Sequence, residues 1–312
     1  MYKSLKLAQF LLPILVLSFC SCVHCNRRKG FRSKASNYSH NNITRIRKPD
    51  NIQNDSMNNI TVEIIDADYL TVESCCNPSQ ILERIAYITS YNFSTRIPNW
   101  VAWNLTSEHT DGKYTRKGVP YYSDDGSVAG IGFITPMISK NSYFMDLESI
   151  EPRQELNDWS TDYNMSHGHM CPAADCRWDK AAMNQSFLLT NMCPQDVNLN
   201  GGAWARLEDK CRSWANRFGS IFIIAGPIFW GKPTRFLGHI AVPDAFFKVV
   251  LRIKPDVQAI GFIYPNDSGS YGWTEQACTV DEVEELSKID FFCELPDSIE
   301  TQIECQLNIN SW

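Results

Sequence analysis

Residues Asp162–Arg217 read DYNMSHGHMCPAADCRWDKAAMNQSFLLTNMCPQDVNLNGGAWARLEDKCRSWANR, and the rest of the chain is organised around them. From Gly202 to Phe218 the residues Trp204, Leu207, Cys211, Trp214 and Phe218 recur at three- and four-residue spacing, which predicts a helix with one buried stripe. Upstream lie a His-Gly-His triplet (His167, Gly168, His169), then Asn191-Met-Cys-Pro-Gln195, then Asn198-Leu-Asn200 at the helix start. Asn200, Trp204, Glu208 and Arg212 step by four, so helical geometry beginning at Asn200 would place them on one ridge. A carboxamide, a carboxylate and a guanidinium beside an imidazole suit a phosphodiester. A hard cation takes oxygen ligands, an imidazole takes a proton from water, and an arginine meets phosphate oxygens bidentately.

Outward from this segment, β-branched and aromatic residues cluster between turn signals at Thr61–Ile65, Ile85–Thr89, Trp100–Leu105, Phe187–Leu189, Gly219–Ala225 and Ala259–Ile263. Each is expected to be a strand. A second helix is expected at Val280–Leu286, with Asp281 and Glu282 in its first turn. Tyr121–Asn157, broken by Gly, Pro and Ser, reads as a long surface excursion. Strands dominate and helices are inserted among them, so the expected class is α+β. With 312 residues, 44% of them hydrophobic, a large core is available and a disordered or fibrous chain is excluded.

The charge is uneven. The first 49 residues hold ten bases (Lys3, Lys6, Arg27, Arg28, Lys29, Arg32, Lys34, Arg45, Arg47 and Lys48) and no acid; of 29 bases this leaves 19 against 35 acids from Asp50 onward, a net of −16. An acidic body argues against capture of nucleic acid by a broad basic face. Residues 1–25, two lysines followed by an apolar run to Phe19 and then Cys20, Cys22 and Cys25, read as a secretory signal of free or lipoprotein type. Residues 26–59, rich in Asn, Ser, Arg and Lys, read as a disordered basic tether, either a solvated spacer or an attractor of anionic partners. The expected product is exported (secreted, periplasmic or held at the outer membrane) and meets membrane only through a lipid anchor. Beyond the leader nine cysteines remain, an odd number whose pairing sequence does not settle. His167, His169, Cys171 and Cys176 also lie close enough to suggest zinc, though not with the usual paired spacing.

The motifs IPNWVAW (97–103), HGHMCPAAD (167–175), MNQSFLLTNMCPQ (183–195), LNGGAWARLEDKCR (199–212), AGPIF (225–229) and VEELSKIDFFCELPD (283–297) occur in one order. In that order they resemble the DNA/RNA non-specific endonucleases with a ββα-metal (His-Me finger) active site. The resemblance implies a mixed or antiparallel β core across residues 60–312. It also implies a hairpin and helix that grip one divalent metal, magnesium with manganese able to substitute, and DNA and RNA as substrates. By motif, His169 corresponds to the general base and Asn200 to the direct metal ligand. Glu208 would reach the metal through water. Arg212 and Asn191 would bind phosphate and orient the site, and Arg116, within KYTRK, would be a further phosphate-binding and catalytic arginine. The family signature is Asp-Arg-Gly-His, whereas this chain has Ser166-His167-Gly168-His169, so a permanent guanidinium is lost and His167 would meet phosphate only if cationic. The competing expectation is an impaired homologue that binds nucleic acid or a surface without turnover. Taken singly, His169 reads as a structural histidine, Asn200 as a helix cap and Glu208 with Arg212 as a surface ion pair.

Overall fold

The runs SIFIIAGPI (Ser220–Ile228) and AFFKVVLR (Ala245–Arg252) carry apolar side chains on successive residues, a pattern suited to a strand in a sheet covered on both faces. The computed structural model bears this out. It describes residues 72–74, 79–116, 120–122, 128–131, 143–159, 162 and 164–312, all within one compact unit, Ser56–Trp312. The leader, the tether and the Thr61–Ile65 strand lie outside the described residues.

In chain order the strands are β1 Val72–Ser74, β2 Gln80–Glu83, β3 Ile88–Asn92, β4 Ile97–Thr106, β5 Pro120–Tyr122, β6 Val128–Ile131, β7 Met165–His169, β8 Met192–Asp196, β9 Ser220–Ile228, β10 Phe236–Leu237, β11 Ile240–Ala241, β12 Ala245–Arg252, β13 Gln258–Pro265, β14 Ala277–Cys278 and β15 Ile289–Phe291. The helices are α1 Lys180–Gln185, α2 Val197–Leu199, α3 Ala205–Phe218, α4 Val280–Ser287 and α5 Asp297–Glu304. Seven strands form one antiparallel sheet in the order β14-β13-β12-β9-β4-β3-β2.

Alternation along the central strands sorts their side chains to two cores. Trp103, Ile223, Phe246 and Phe262 face the layer that holds Leu207, Cys211 and Trp214 of α3. Ala102, Ile224, Phe247 and Val249 face the layer that holds Val280 and Val283 of α4 and Ile303 of α5. The result is a sheet between helices, and each side depends on apolar burial of about 25 cal/mol per Å². Helix α3 ends at Gly219, whose φ of 87° lets its N–H reach back to the Ala215 carbonyl at 2.8 Å. Helix α4 opens on a capping box in which the Thr279 side chain and Glu282 satisfy each other's backbone N–H groups.

Trp100–Leu105, Gly219–Ala225, Ala259–Ile263 and both helices fall where the sequence puts them. Three segments differ. Ile85–Thr89 is divided by a turn in which Arg84 N–H donates to the Tyr87 carbonyl, so its first half is the link between β2 and β3. Phe187–Leu189 is no strand. Phe187 is a core side chain, Leu188 makes one bridge to Phe144, and a 3-10 turn follows at Leu189–Asn191. Within the supposed excursion, residues 121–122 and Val128–Ile131 are strand, and the stretch 143–157 packs inward: Tyr143 and Phe144 are buried, Asp146 takes Arg84 at 2.6 Å, and Gln154 donates to the Met192 carbonyl at 2.9 Å. No helix among the described residues is long and apolar enough to cross a membrane.

Candidate active site

Strands β7 and β8 pair as a separate antiparallel ribbon, with Ser166 opposite Gln195, Gly168 opposite Cys193 and His169 opposite Met192. Gly168 is obligatory there: a Cβ would lie 2.5 Å from Gln195 Oε1 and 2.6 Å from its Cβ. The ribbon leads straight into a helix. Asp196 caps it by accepting from the backbone N–H groups of Asn198 and Leu199, and α2 passes through a π turn, Asn200–Trp204, into α3. The Gly201-Gly202 pair lies within that wider turn, a distortion often found at functional sites. The turn modifies the expected four-residue ridge. Trp204 is fully buried in the core, while Asn200, Glu208 and Arg212 remain partly exposed.

Ser166 fixes Asn200. Its hydroxyl donates to the Gln195 carbonyl at 2.9 Å and therefore has only a lone pair left for Asn200, whose Nδ2 donates to it at 2.9 Å. That bond turns the Asn200 carboxamide oxygen away from Ser166 and leaves it available to a cation. On the same strand, the His169 Nε2 is enclosed and has no hydrogen-bond partner. Burial, then Arg116 and His167, push this imidazole down to about 3, so at neutral pH its ring carries a free lone pair. Arg116 lies over the Phe187 ring at 4.7 Å, and Phe187 meets His169 edge-on at 5.2 Å, so the exposed guanidinium stands next to the imidazole.

On α3, Arg212 donates to Asp175 at 2.8 Å and to Asp209 at 2.6 Å; it forms no ion pair with Glu208. Burial works against its charge, but the two acids more than offset this and raise its pKa. The buried Asp175 also accepts from Trp103 Nε1 at 3.1 Å. Burial raises the Glu208 carboxyl to about 7, against the pull of Lys248. Lys248 is a residue that the motif reading passes over. It lies fully buried in the centre of β12, its Nζ without a hydrogen bond, 4.4 Å from the Trp204 ring and 5.5 Å from that of Trp103. Its signal in the sequence is a cation in the middle of the apolar run AFFKVVL (245–251).

Two expectations are corrected. Asn191 is fully buried and saturated: its oxygen accepts from Cys171 N–H, and its amide donates to the carbonyls of Cys171 and Ser186, all at 2.9 Å. It braces the end of the ribbon and has no group left for phosphate. His167 is stacked between Tyr143 at 3.9 Å and Trp159 at 3.8 Å, and burial with Arg116 nearby pushes it down to about 3. It is a neutral packing ring, not a cation beside phosphate. The zinc alternative also fails, since among the described residues His167, His169, Cys171 and Cys176 do not bring three ligand atoms together, and the sandwich occupies His167.

The donor set suits a hard divalent cation. The Asn200 oxygen and the Glu208 carboxylate offer oxygen ligands. Both polar atoms of the buried Gln195 amide, which lies against Gly168, lack hydrogen-bond partners, as does His169 Nε2. Orphaned polar groups at one ribbon are expected where water, a cation or substrate belongs.

An imidazole with an enclosed Nε2, on a β ribbon that runs into a helix, defines a ββα-type hydrolytic site, and the sequence comparison agrees. The DNA/RNA non-specific endonuclease family matches residues 68–298, and the chain belongs to that family. It is therefore a hydrolase of nucleic-acid phosphodiester bonds, in a family that depends on divalent metal. "Nuclease 1, mitochondrial" of Schizosaccharomyces pombe is 33% identical over 254 residues, covering 72% of this chain and 71% of that one. "Mitochondrial nuclease" of Saccharomyces cerevisiae is 26% identical over 258 residues, covering 73% and 71%. Among solved structures, that of the EndoG/EndoGI complex shares the fold, with a TM-score of 0.56, 20% identity and coverage of 72% of this chain and 89% of that one. The names of these relatives overturn the expectation of an exported, periplasmic or outer-membrane protein, because they point to the mitochondrion.

Proposed function

We propose that this chain is a magnesium-dependent endonuclease, with manganese able to substitute, that cleaves DNA and RNA with little sequence preference. The enclosed, unpartnered and neutral His169 Nε2 carries this reading. As general base it takes a proton from the water that attacks phosphorus, and a 5′-phosphate product follows. The Asn200 carboxamide oxygen would hold the divalent cation directly and the Glu208 carboxylate through a water; when bound, the cation draws charge from the phosphate and the departing 3′ oxygen. Arg116, beside His169, meets a non-bridging phosphate oxygen, and Arg212, gripped by Asp175 and Asp209, presents a fixed guanidinium to the same backbone. Contacts of this kind read the sugar-phosphate backbone and leave base identity unread. The names of the relatives also support a mitochondrial location for this chain. The acid-free, base-rich N-terminal 49 residues have the composition of an import sequence.

A plasmid-nicking and RNA-degradation assay with magnesium, with and without chelator, tests the enzyme. The wild type should cut both substrates only with the metal, and His169→Ala should be slower by about 10²- to 10⁴-fold. If both proteins leave both substrates intact, the impaired, binding-only homologue takes precedence.

A further inference from the structure

On the face of the sheet occupied by α4 and α5, Asp281, Glu284 and Glu304 bring one carboxylate oxygen each to within 4.8 Å of one another. Among the described residues this is the one group of three or more His, Cys, Asp or Glu side chains that could converge on a metal. Acids alone do not make a site, but Glu304 adds an independent observation. Its residue is only 6% exposed, and Oε1 has no hydrogen-bond partner although it is enclosed. It is also the last residue of α5, where the negative end of the helix dipole opposes an anion. Glu284 spends one oxygen on the Phe291 N–H at 2.8 Å and keeps the other. The buried Glu300 adds further negative charge.

We propose that Asp281, Glu284 and Glu304 form a second divalent-cation site, of calcium type, that ties α4 to α5. The ligands are all hard oxygens, which selects against zinc and other softer metals. Around calcium, at 2.3–2.6 Å from each ligand, opposite oxygens stand up to about 5 Å apart, so three oxygens within 4.8 Å of one another can share one such ion. Asp281 is exposed and leaves an open side on which waters complete the shell. The site is remote from the catalytic chemistry: α4 and α5 pack on the core opposite α3. Its role is to hold the C-terminal helix on the sheet.

Without a cation, burial and the surrounding acids push the Glu304 carboxyl up to about 9, so a proton is the rival occupant. Calcium titration of the chelator-stripped full chain, read by thermal unfolding, separates the two. Asn200→Ala provides a background in which the active-site cation is not bound. The Tm should rise by about 5 °C or more at a hundredfold excess over Kd, equally in wild type and Asn200→Ala. Glu304→Gln and the exposed Asp281→Asn should both lose most of this rise while still cutting plasmid in magnesium. The proposal is overturned if calcium moves none of the proteins, or if it moves Glu304→Gln as far as wild type. It is equally overturned if Glu304→Gln raises the metal-free Tm and calcium leaves wild type unmoved, the pattern of a carboxyl that merely holds a proton.

Discussion

Ser166, which stands where the family signature has an acid, holds Asn200 through a neutral hydroxyl. Because its proton goes to the Gln195 carbonyl, it can only accept from Asn200, and the orientation of that amide follows. Ser166→Ala releases the amide, so the magnesium concentration for half-maximal activity should rise by about 10-fold, as when partners of metal ligands are removed; a titration of initial rates checks this. Lys248 acts at longer range. It pulls Glu208 and Asp175 toward their ionised forms from its box of Trp103 and Trp204. Lys248→Met removes that pull, and the Glu208 carboxyl then rises above its value of about 7. The acid limb of the pH–rate profile should move to higher pH. A limb that stays in place would make Lys248 a core filler alone. Neither role was legible in the sequence, because both depend on contacts between residues 29 or more positions apart. Asn191 misled differently: its motif suggests a phosphate ligand, but the fold brings the backbone groups of Cys171, 20 positions away, and Ser186, five positions away, onto its amide.

At the scale of elements, periodicity was a good guide wherever one element buried a continuous stripe or run. Leu207, Cys211 and Trp214 mark α3, and the apolar residues of β9 and β12 mark the centre of the sheet. Short apolar runs were ambiguous, since Phe187 and Leu189 are buried in a turn as thoroughly as they would be in a strand. Tyr121–Asn157, with its Gly, Pro and Ser breaks, reads as surface, yet residues 143–157 pack through Arg84, Thr190 and Met192, partners that no local pattern reveals. The β7/β8 ribbon is the element most sensitive to change. Gly168→Ala drives a Cβ into Gln195 and should destabilise the fold by about 1–3 kcal/mol, read as a lower urea midpoint. The ribbon also makes stability depend on pH. His167 and His169 are held near 3 in the folded state, so between pH 6.5 and 3 the unfolded chain binds protons that the native chain refuses. Stability is lost as pH falls through that window and is unaffected by these rings above it. His167→Phe keeps the stack between Tyr143 and Trp159 and should flatten the fall in urea midpoint from pH 7 to 5. An unchanged slope would mean that the ring titrates normally.

Across the whole molecule, charge and chemistry are separated. The chain from Asp50 onward carries −16, which repels a polyanion at long range, yet the residues that meet phosphate in the proposed site are a few placed groups and a cation. The net charge thus reports how substrate approaches, not whether it binds. If Arg116 and Arg212 are the main phosphate contacts, about two counterions are released, and log kcat/KM should fall with log salt at a slope no steeper than about −2. Repulsion from the acidic body flattens it further, because salt screens repulsion as well as attraction. The ten bases before Asp50 act in the opposite sense wherever they remain attached. A chain beginning at Asp50 should therefore show the shallow slope, while the full chain should show faster capture at low salt and a steeper decline, the two converging near 0.5 M where screening length is only a few ångströms. Initial rates on plasmid from 20 to 500 mM salt measure both slopes. Equal slopes would reduce the basic segment to an address or a spacer, and a steep slope in the shorter chain would require a basic contact surface beyond Arg116 and Arg212.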